Sequence, residues 1–350
     1  MLSIACDLPP DRTMATLSEH SLLASVFALH IGPDEELHAY LPFLERCRSL
    51  RCLDLENPRP ASTRLLSTPS APSLTHLDVS FNSSSLAAYS DLLVLLGTLP
   101  ALKSLWISCS VRLFVRFPDT LDEPTYPYTP LSLSLDEYRT DIFPGCHLPI
   151  LASRKTLRNL YIWSPLSTAF AIPHVLNEDE DYSTVRAQAI IRQSGKLFEA
   201  LLIVAPRLHT LYMNAQRTSQ PPDNPEPSHL PHLMPLFLAF KELRSLRIVV
   251  QLDTDPEIDE LGELLNIMPC PLHELNIYFI PLMGQIPGVS AAARILETPT
   301  ATCLRVLRSM RIVLAVIPAL NDIAAMQVAV RPFREFCIRR RITFRGPYIA

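Results

Sequence analysis

The stretch SLTHLDVSFN at residues 73–82 sets three apolar residues, Leu74, Leu77 and Val79, in a comb of the form Leu-x-x-Leu-x-Leu, with polar residues between the teeth. The same comb recurs as SLRCLDLE at 49–56, ALKSLWIS at 101–108, TLRNLYIW at 156–163, RLHTLYMN at 207–214, ELRSLRIV at 242–249 and PLHELNIY at 271–278. One copy could equally be a face of an amphipathic helix. Seven copies in common phase describe units that share one core.

Taking the second apolar tooth as anchor gives Leu53, Leu77, Leu105, Leu160, Leu211, Leu246 and Leu275, with weaker copies anchored at Leu133 (in PLSLSLDE) and Met310 (in VLRSMRIV). The steps between anchors run from about 24 to about 51 residues, mostly at or just beyond the range of leucine-rich repeats. The pattern resembles that family over residues 50–315, and SLLASVFALHI at 21–31 and RRITFRG at 340–346 extend it in both directions. The expected fold is an α/β solenoid, a horseshoe of parallel strands lining a concave face with helices or irregular segments outside. The expected domains are an N-terminal tail (1–20), an irregular repeat domain (21–346) and a C-terminal tail (347–350).

Helical periodicity is read at 33–47, 86–99, 184–205, 257–268 and 321–340. Asp255 and Pro256 have the chemistry of an N-cap and first helical residue, and Pro332 is expected to break or kink the last helix. Residues 110–130, 164–182 and 215–232 are proline-rich or acidic insertions, readable as recognition loops or as tolerated surface loops. Arg339, Arg340 and Arg341 read as a polar end cap or a fragment of a nuclear-localisation signal.

Composition narrows the function classes. The chain has 350 residues, 48% of them hydrophobic and 19% charged, which suffices for a continuous core. A formal net charge of −4 argues against a general nucleic-acid binder. No apolar run reaches the length of a membrane span, and MLSIACDLPPDR meets Asp7 too early for a signal peptide. An intracellular protein, cytoplasmic or nuclear, is expected. Its eight cysteines contain no C-x-x-C pair and read as reduced, mostly buried thiols. Only 8 glycines against 33 prolines leave no glycine-rich phosphate loop.

Signals of catalysis are lacking. His273–Glu274 opens like a zinc-protease helix, but Ile277 stands where the second histidine should fall. His229 and His232 have no nearby third ligand, and G-x-S-x-G does not occur. No enzyme, cofactor or metal is expected; a catalytic protein with an unrecognised site remains the alternative from a different class.

Strand alternation assigns the outward side chains. The expected protein-binding residues on the concave face are Asp54, Asp78, Trp106, Tyr161, Trp163, Tyr212, Arg247, Asn276 and Tyr278, with Trp106, Tyr161, Trp163 and Tyr212 as one aromatic patch. Ser132, Ser134 and Asp136 are assigned outward on the strand anchored at Leu133.

In its irregular repeats, its proline-rich insertions and phrases such as LPALKSL, APRLHTL and TLRNLYI, the chain is similar to the large fungal group of F-box-type leucine-rich-repeat proteins. The resemblance implies an F-box that docks a Skp-type adaptor of a cullin ubiquitin ligase, with the repeats selecting the target. Leu8–Pro9 echoes the opening of an F-box, but no apolar helix pattern follows at Arg12–Thr13–Met14 and no tryptophan precedes Trp106. A Skp-type adaptor is therefore a partner only through an F-box missing from this chain, and none is expected to dock on residues 1–50. A diverged repeat protein that binds without any ubiquitin machinery is the other reading.

Overall fold

A computed structural model describes residues 2–5, 26–31, 46–56, 73–81, 92, 95–109, 133–143, 145–166, 181–215, 230–250, 255–279, 302–314 and 322–349. The chain divides into two compact units, residues 1–157 with 173–193, and residues 158–172 with 194–350. The insertion at 110–130 lies outside the described residues, as do most of the other two.

The first unit contains β1 (Leu2–Ala5), β2 (Val26–Ile31), β3 (Cys52–Glu56), β4 (His76–Phe81), β5 (Ser104–Cys109) and β6 (Glu137–Thr140), paired in chain order and all parallel. The second contains β7 (Asn159–Pro165), β8 (Thr210–Asn214), β9 (Ser245–Val250), β10 (Glu274–Phe279), β11 (Ser309–Leu314) and β12 (Thr343–Ile349), again parallel and in order. β1 places a strand in the segment expected as the N-terminal tail, while β12 falls on the expected later unit at 340–346 and runs on into the expected C-terminal tail.

Register is set by the combs. Leu29, Leu53, Leu77, Leu105 and Tyr138 are successive partners in the first unit, and Leu160, Leu211, Leu246, Leu275, Met310 and Phe344 in the second. The seven leucine anchors are at most 2% exposed. Sliding one strand by a residue would turn its whole apolar set to the opposite face, so each comb pins its neighbour.

The turn before each strand is also repeated. Thr75 and His76 N–H groups both donate to the carbonyl of Arg51, at 2.8 and 3.0 Å. Lys103 and Ser104 repeat this on Thr75, and Asp136 and Glu137 on Lys103. In the second unit His209 and Thr210 share the Arg158 carbonyl, Arg244 and Ser245 that of His209, His273 and Glu274 that of Arg244, and Arg308 and Ser309 that of His273. These bonds satisfy the backbone where each crossover ends.

One expected strand is corrected. The comb at 130–137 is not a strand at Leu133; β6 begins at Glu137 and its anchor is Tyr138. Leu135, Tyr138 and Thr140 take the three tooth positions, all buried. The Tyr138 hydroxyl donates to the Cys146 carbonyl at 3.1 Å and lies 3.2 Å from Thr140 Oγ1, so a polar tooth is satisfied inside. Ser132 lies outside the described residues, while Ser134 and Asp136 precede the strand.

Helices α1 (Leu148–Ala152), α2 (Asp181–Val204), α3 (Met234–Ala239), α4 (Asp255–Ile267) and α5 (Asp322–Arg340) belong to the crossovers. α2 buries Leu197, Ala200, Leu201 and Val204, the i, i+3, i+4, i+7 stripe of a core-facing helix, and α4 buries Leu261, Leu264 and Leu265, with Met268 just past its end continuing the stripe. α5 is not broken at Pro332. A proline there removes a backbone bond at a cost of about 3 kcal/mol. Burial of Val330, Phe333, Phe336 and Cys337 on both sides of it offsets that cost.

The end of α5 gives its arginines a structural role. Arg341 has φ 57°, with Arg341 N–H on the Ile338 carbonyl and Ile342 N–H on the Cys337 carbonyl, the bond pair that closes a helix on a left-handed residue. Arg339 and Arg340 lie in the last turn, where the helix dipole favours cations. A side chain at positive φ is strained, so Arg341→Gly is expected to stabilise the protein by about 0.5–1 kcal/mol. A lowered midpoint in chemical denaturation would contradict this assignment.

Cys47, Cys52, Cys146, Cys270, Cys303 and Cys337 are free thiols, and all of these but Cys52 are buried. Burial pushes the thiols of Cys47, Cys146 and Cys303 up to about 12.

Candidate binding faces

Among the described residues the comb teeth are buried on one face of each sheet, and the residues between them occupy the other, open face, where Tyr212, Val249, Asn276 and Val313 of the second unit are also largely covered. In the first unit the register aligns His30, Asp54, Asp78, Trp106 and Arg139 as a single row across β2 to β6. His30 Nδ1 lies 2.6 Å from Asp54 Oδ2, and its Nε2 is 3.9 Å from Glu56 Oε1. At the other end Arg139 Nε donates to Glu137 Oε1 at 2.7 Å, while its guanidinium stands 5.5 Å from the centre of the Trp106 ring. That distance allows a cation–π attraction of about 0.5–1 kcal/mol.

Asp78 lies between these pairs and, among the described residues, has no ion pair of its own. Burial, and then the neighbouring charge of Asp54, push its carboxyl up to about 7, against weaker opposing pulls from Arg139 and His30. The folded protein thus keeps a proton that the unfolded chain releases near the ordinary carboxyl range. Stability should fall as pH rises through the window from about 4 to about 7, then level off. Asp78→Asn, which cannot ionise, is expected to be more stable than the parent at pH 8 by about 1 kcal/mol, with little difference at pH 5. Melting curves at the two pH values check it, and an equal effect at both would remove the titration from the account.

In the second unit the corresponding row is Tyr161, Tyr212, Arg247, Asn276, Arg311 and Arg345. β7 loses register between Ile162 and Pro165, and Trp163 projects there, 41% exposed. Its ring centre is 4.4 Å from that of Tyr212, and Tyr212 meets Tyr278 edge-on at 6.0 Å. Asn214 Nδ2 donates to the Trp163 carbonyl at 3.0 Å and holds the irregular segment. Burial, with Tyr278 beside it, pushes the Tyr212 phenol up to about 12, so it stays neutral.

Glu274 adjoins this row. Burial acts to raise its carboxyl, but hydrogen bonds from Ser245 and Asn276 and the charges of Arg247 and Arg345 together outweigh burial and leave it below its ordinary value. Ser245 Oγ lies 2.8 Å from Glu274 Oε2 and Asn276 Nδ2 3.2 Å from Oε1. Glu274 is a fixed carboxylate among cations.

Of the nine residues expected on the binding face, Asp54, Asp78 and Trp106 fall in the first unit and the other six in the second, so the expected aromatic patch divides between two units. Asn276, 3% exposed and engaged by Glu274, and Tyr212, 9% exposed between two rings, are largely covered. His30 and Arg139 were not among the expected residues. His30 was findable by carrying the alternation back through VFALHI; Arg139 was hidden by the misplaced comb.

Among the described residues no group of three or more histidines, cysteines or carboxylates could hold a metal, and no helix is long and apolar enough to cross a membrane. His229 lies outside them. Compared with known proteins, the chain matches no family model and no curated relative.

Proposed function

We propose that the chain is a protein-interaction solenoid of the leucine-rich-repeat kind, whose open sheet face receives a partner. The observation that carries this reading is the partly exposed Trp163 ring, backed by Tyr212, which in turn meets Tyr278, and set where β7 leaves the register of its neighbour. Strand-ordered parallel pairing and the repeated turn bonds support the repeat assignment. An aromatic ring held by its neighbours binds at low entropic cost, and such anchors are the usual hot spots of interfaces.

The most specific form of the proposal is target selection for ubiquitin ligation. It draws on the phrases shared with F-box-type repeat proteins. A Skp-type adaptor would enter only through an F-box missing from this chain. Affinity purification with mass spectrometry, scored for Skp and cullin subunits as well as for targets, separates this form from a binding protein without ligase machinery. Loss of a co-purified Skp-type protein on deleting residues 1–20 would overturn the expectation that this segment docks nothing.

Trp163→Ala with Tyr278→Ala is expected to weaken partner capture by about 2 kcal/mol or more, roughly thirtyfold, with the fold retained. Changing Arg339, Arg340 and Arg341 to alanine should alter it by about 1 kcal/mol or less. The reverse pattern would move the binding surface to the end of α5. Unfolding of the double variant would make the rings structural.

A further inference from the structure

The two open faces carry opposite charge. On the first unit Asp54, Glu56, Asp78 and Glu137 stand against Arg139, with His30 and His76 nearby. On the second, among the described side chains of the registered rows, Arg247, Arg311 and Arg345 stand against the single carboxylate of Glu274. This positive row occurs in a chain of net charge −4, so it is a local arrangement rather than a reflection of overall composition.

Its geometry is regular. Neighbouring strands lie about 4.8 Å apart, so the backbones bearing Arg247 and Arg311, two strands apart with Asn276 between them, are separated by roughly 10 Å. A peptide in the extended polyproline II helix advances about 3.1 Å per residue with about three residues per turn, so side chains three residues apart lie on one side at roughly that separation. Arg247 Nε is buried and has no hydrogen-bond partner, a donor left without an acceptor. Guanidinium groups pair with carboxylates through two parallel bonds, a geometry lysine cannot supply. Beside Arg247 in the same row, Tyr212 leads to the apolar surface of Trp163 and Tyr278.

We infer that the open face of the second unit takes an extended acidic peptide segment, with two carboxylates about three residues apart on Arg247 and Arg311 and an apolar side chain against Trp163 and Tyr278. The inference rests on the proposed binding role of that face and adds the chemistry of the partner. A nucleic acid or an anionic membrane fits less well, because three cations in one row offer little counterion release and the protein as a whole repels polyanions.

The test uses the full chain and short fluorescent peptides carrying one leucine and two glutamates at systematically varied spacing, with a matched set in which glutamine replaces glutamate. Anisotropy titrations should show tightest binding with the glutamates three apart, loss of binding in the glutamine set, and weakening on raising salt. Arg247→Gln together with Arg311→Gln should weaken binding about tenfold or more without shifting the unfolding midpoint, whereas Arg139→Gln on the first unit should leave it unchanged. Equal binding of the glutamine peptides, no binding of any acidic peptide, or tighter binding of an RNA oligonucleotide or of phosphatidylserine vesicles would overturn the inference. If acidic peptides fail while Trp163→Ala with Tyr278→Ala still abolishes partner capture, the docking face stands and only its acidic specificity falls. If that double variant leaves capture intact, the docking face itself is wrong, whatever the peptides do.

Discussion

Tyr138→Ala is expected to destabilise the first unit by about 3–5 kcal/mol, the cost typical of removing a large aromatic ring from a core. The ring is completely buried and takes the anchor position beside Leu105. Its hydroxyl also holds the Cys146 carbonyl and contacts Thr140, so the truncation leaves a cavity and two buried polar groups with one partner fewer. Tyr138→Phe separates the two losses: it keeps the packing and should cost about 1–2 kcal/mol. The chain has two tryptophans, Trp106 in the first unit and Trp163 in the second, so Trp163→Phe leaves fluorescence that follows the first unit alone. A cost for Tyr138→Ala below about 1 kcal/mol in that background would show that the buried tyrosine is not an anchor.

Leu246 and Arg247 give the sharpest contrast between adjacent residues. Leu246 is fully buried with Leu211 and Leu275 as register partners, and Leu246→Ala should cost about 2–5 kcal/mol. Arg247 points to the opposite face, and Arg247→Gln should change stability by about 1 kcal/mol or less. Denaturation followed through Trp163 in a Trp106→Phe background measures both. Two units that unfold separately would distort a whole-chain midpoint, and the local probe avoids this. If Arg247→Gln proves the costlier change, the faces of β9 have been exchanged.

The anchors were legible because leucine at fixed phase leaves a signal that survives irregular crossovers. The same signal misled at PLSLSLDE, which is richer in leucine than LDEYRT and so mimics a comb better than the true strand does. A tyrosine can replace a leucine anchor only when its hydroxyl is satisfied. Here the satisfying groups are Thr140 and the Cys146 carbonyl, and the latter lies beyond the strand, where no local pattern points to it. Alternation assigns Asn276 and Tyr212 a direction but not an access to solvent. Period two fixes a direction, whereas accessibility depends on how far Glu274, Trp163 and Tyr278 reach across. Pro332 reads as a break or a kink because the local cost is visible in sequence, but the apolar stripe that keeps α5 continuous depends on what the helix packs against.

Among the described residues of each unit a strand pairs only with its neighbours in the chain, and this bears on how the protein reaches its folded state. Every docking event closes a loop one repeat long, and the entropic cost of closure grows only with the logarithm of that length. No distant segment has to be captured before its neighbours are in place. Assembly can nucleate at any adjacent pair and spread in either direction, as in other one-dimensional arrays. Under a pulling force applied to β12, the second unit should therefore peel strand by strand, and the extension released at each step should follow the uneven spacing of the anchors.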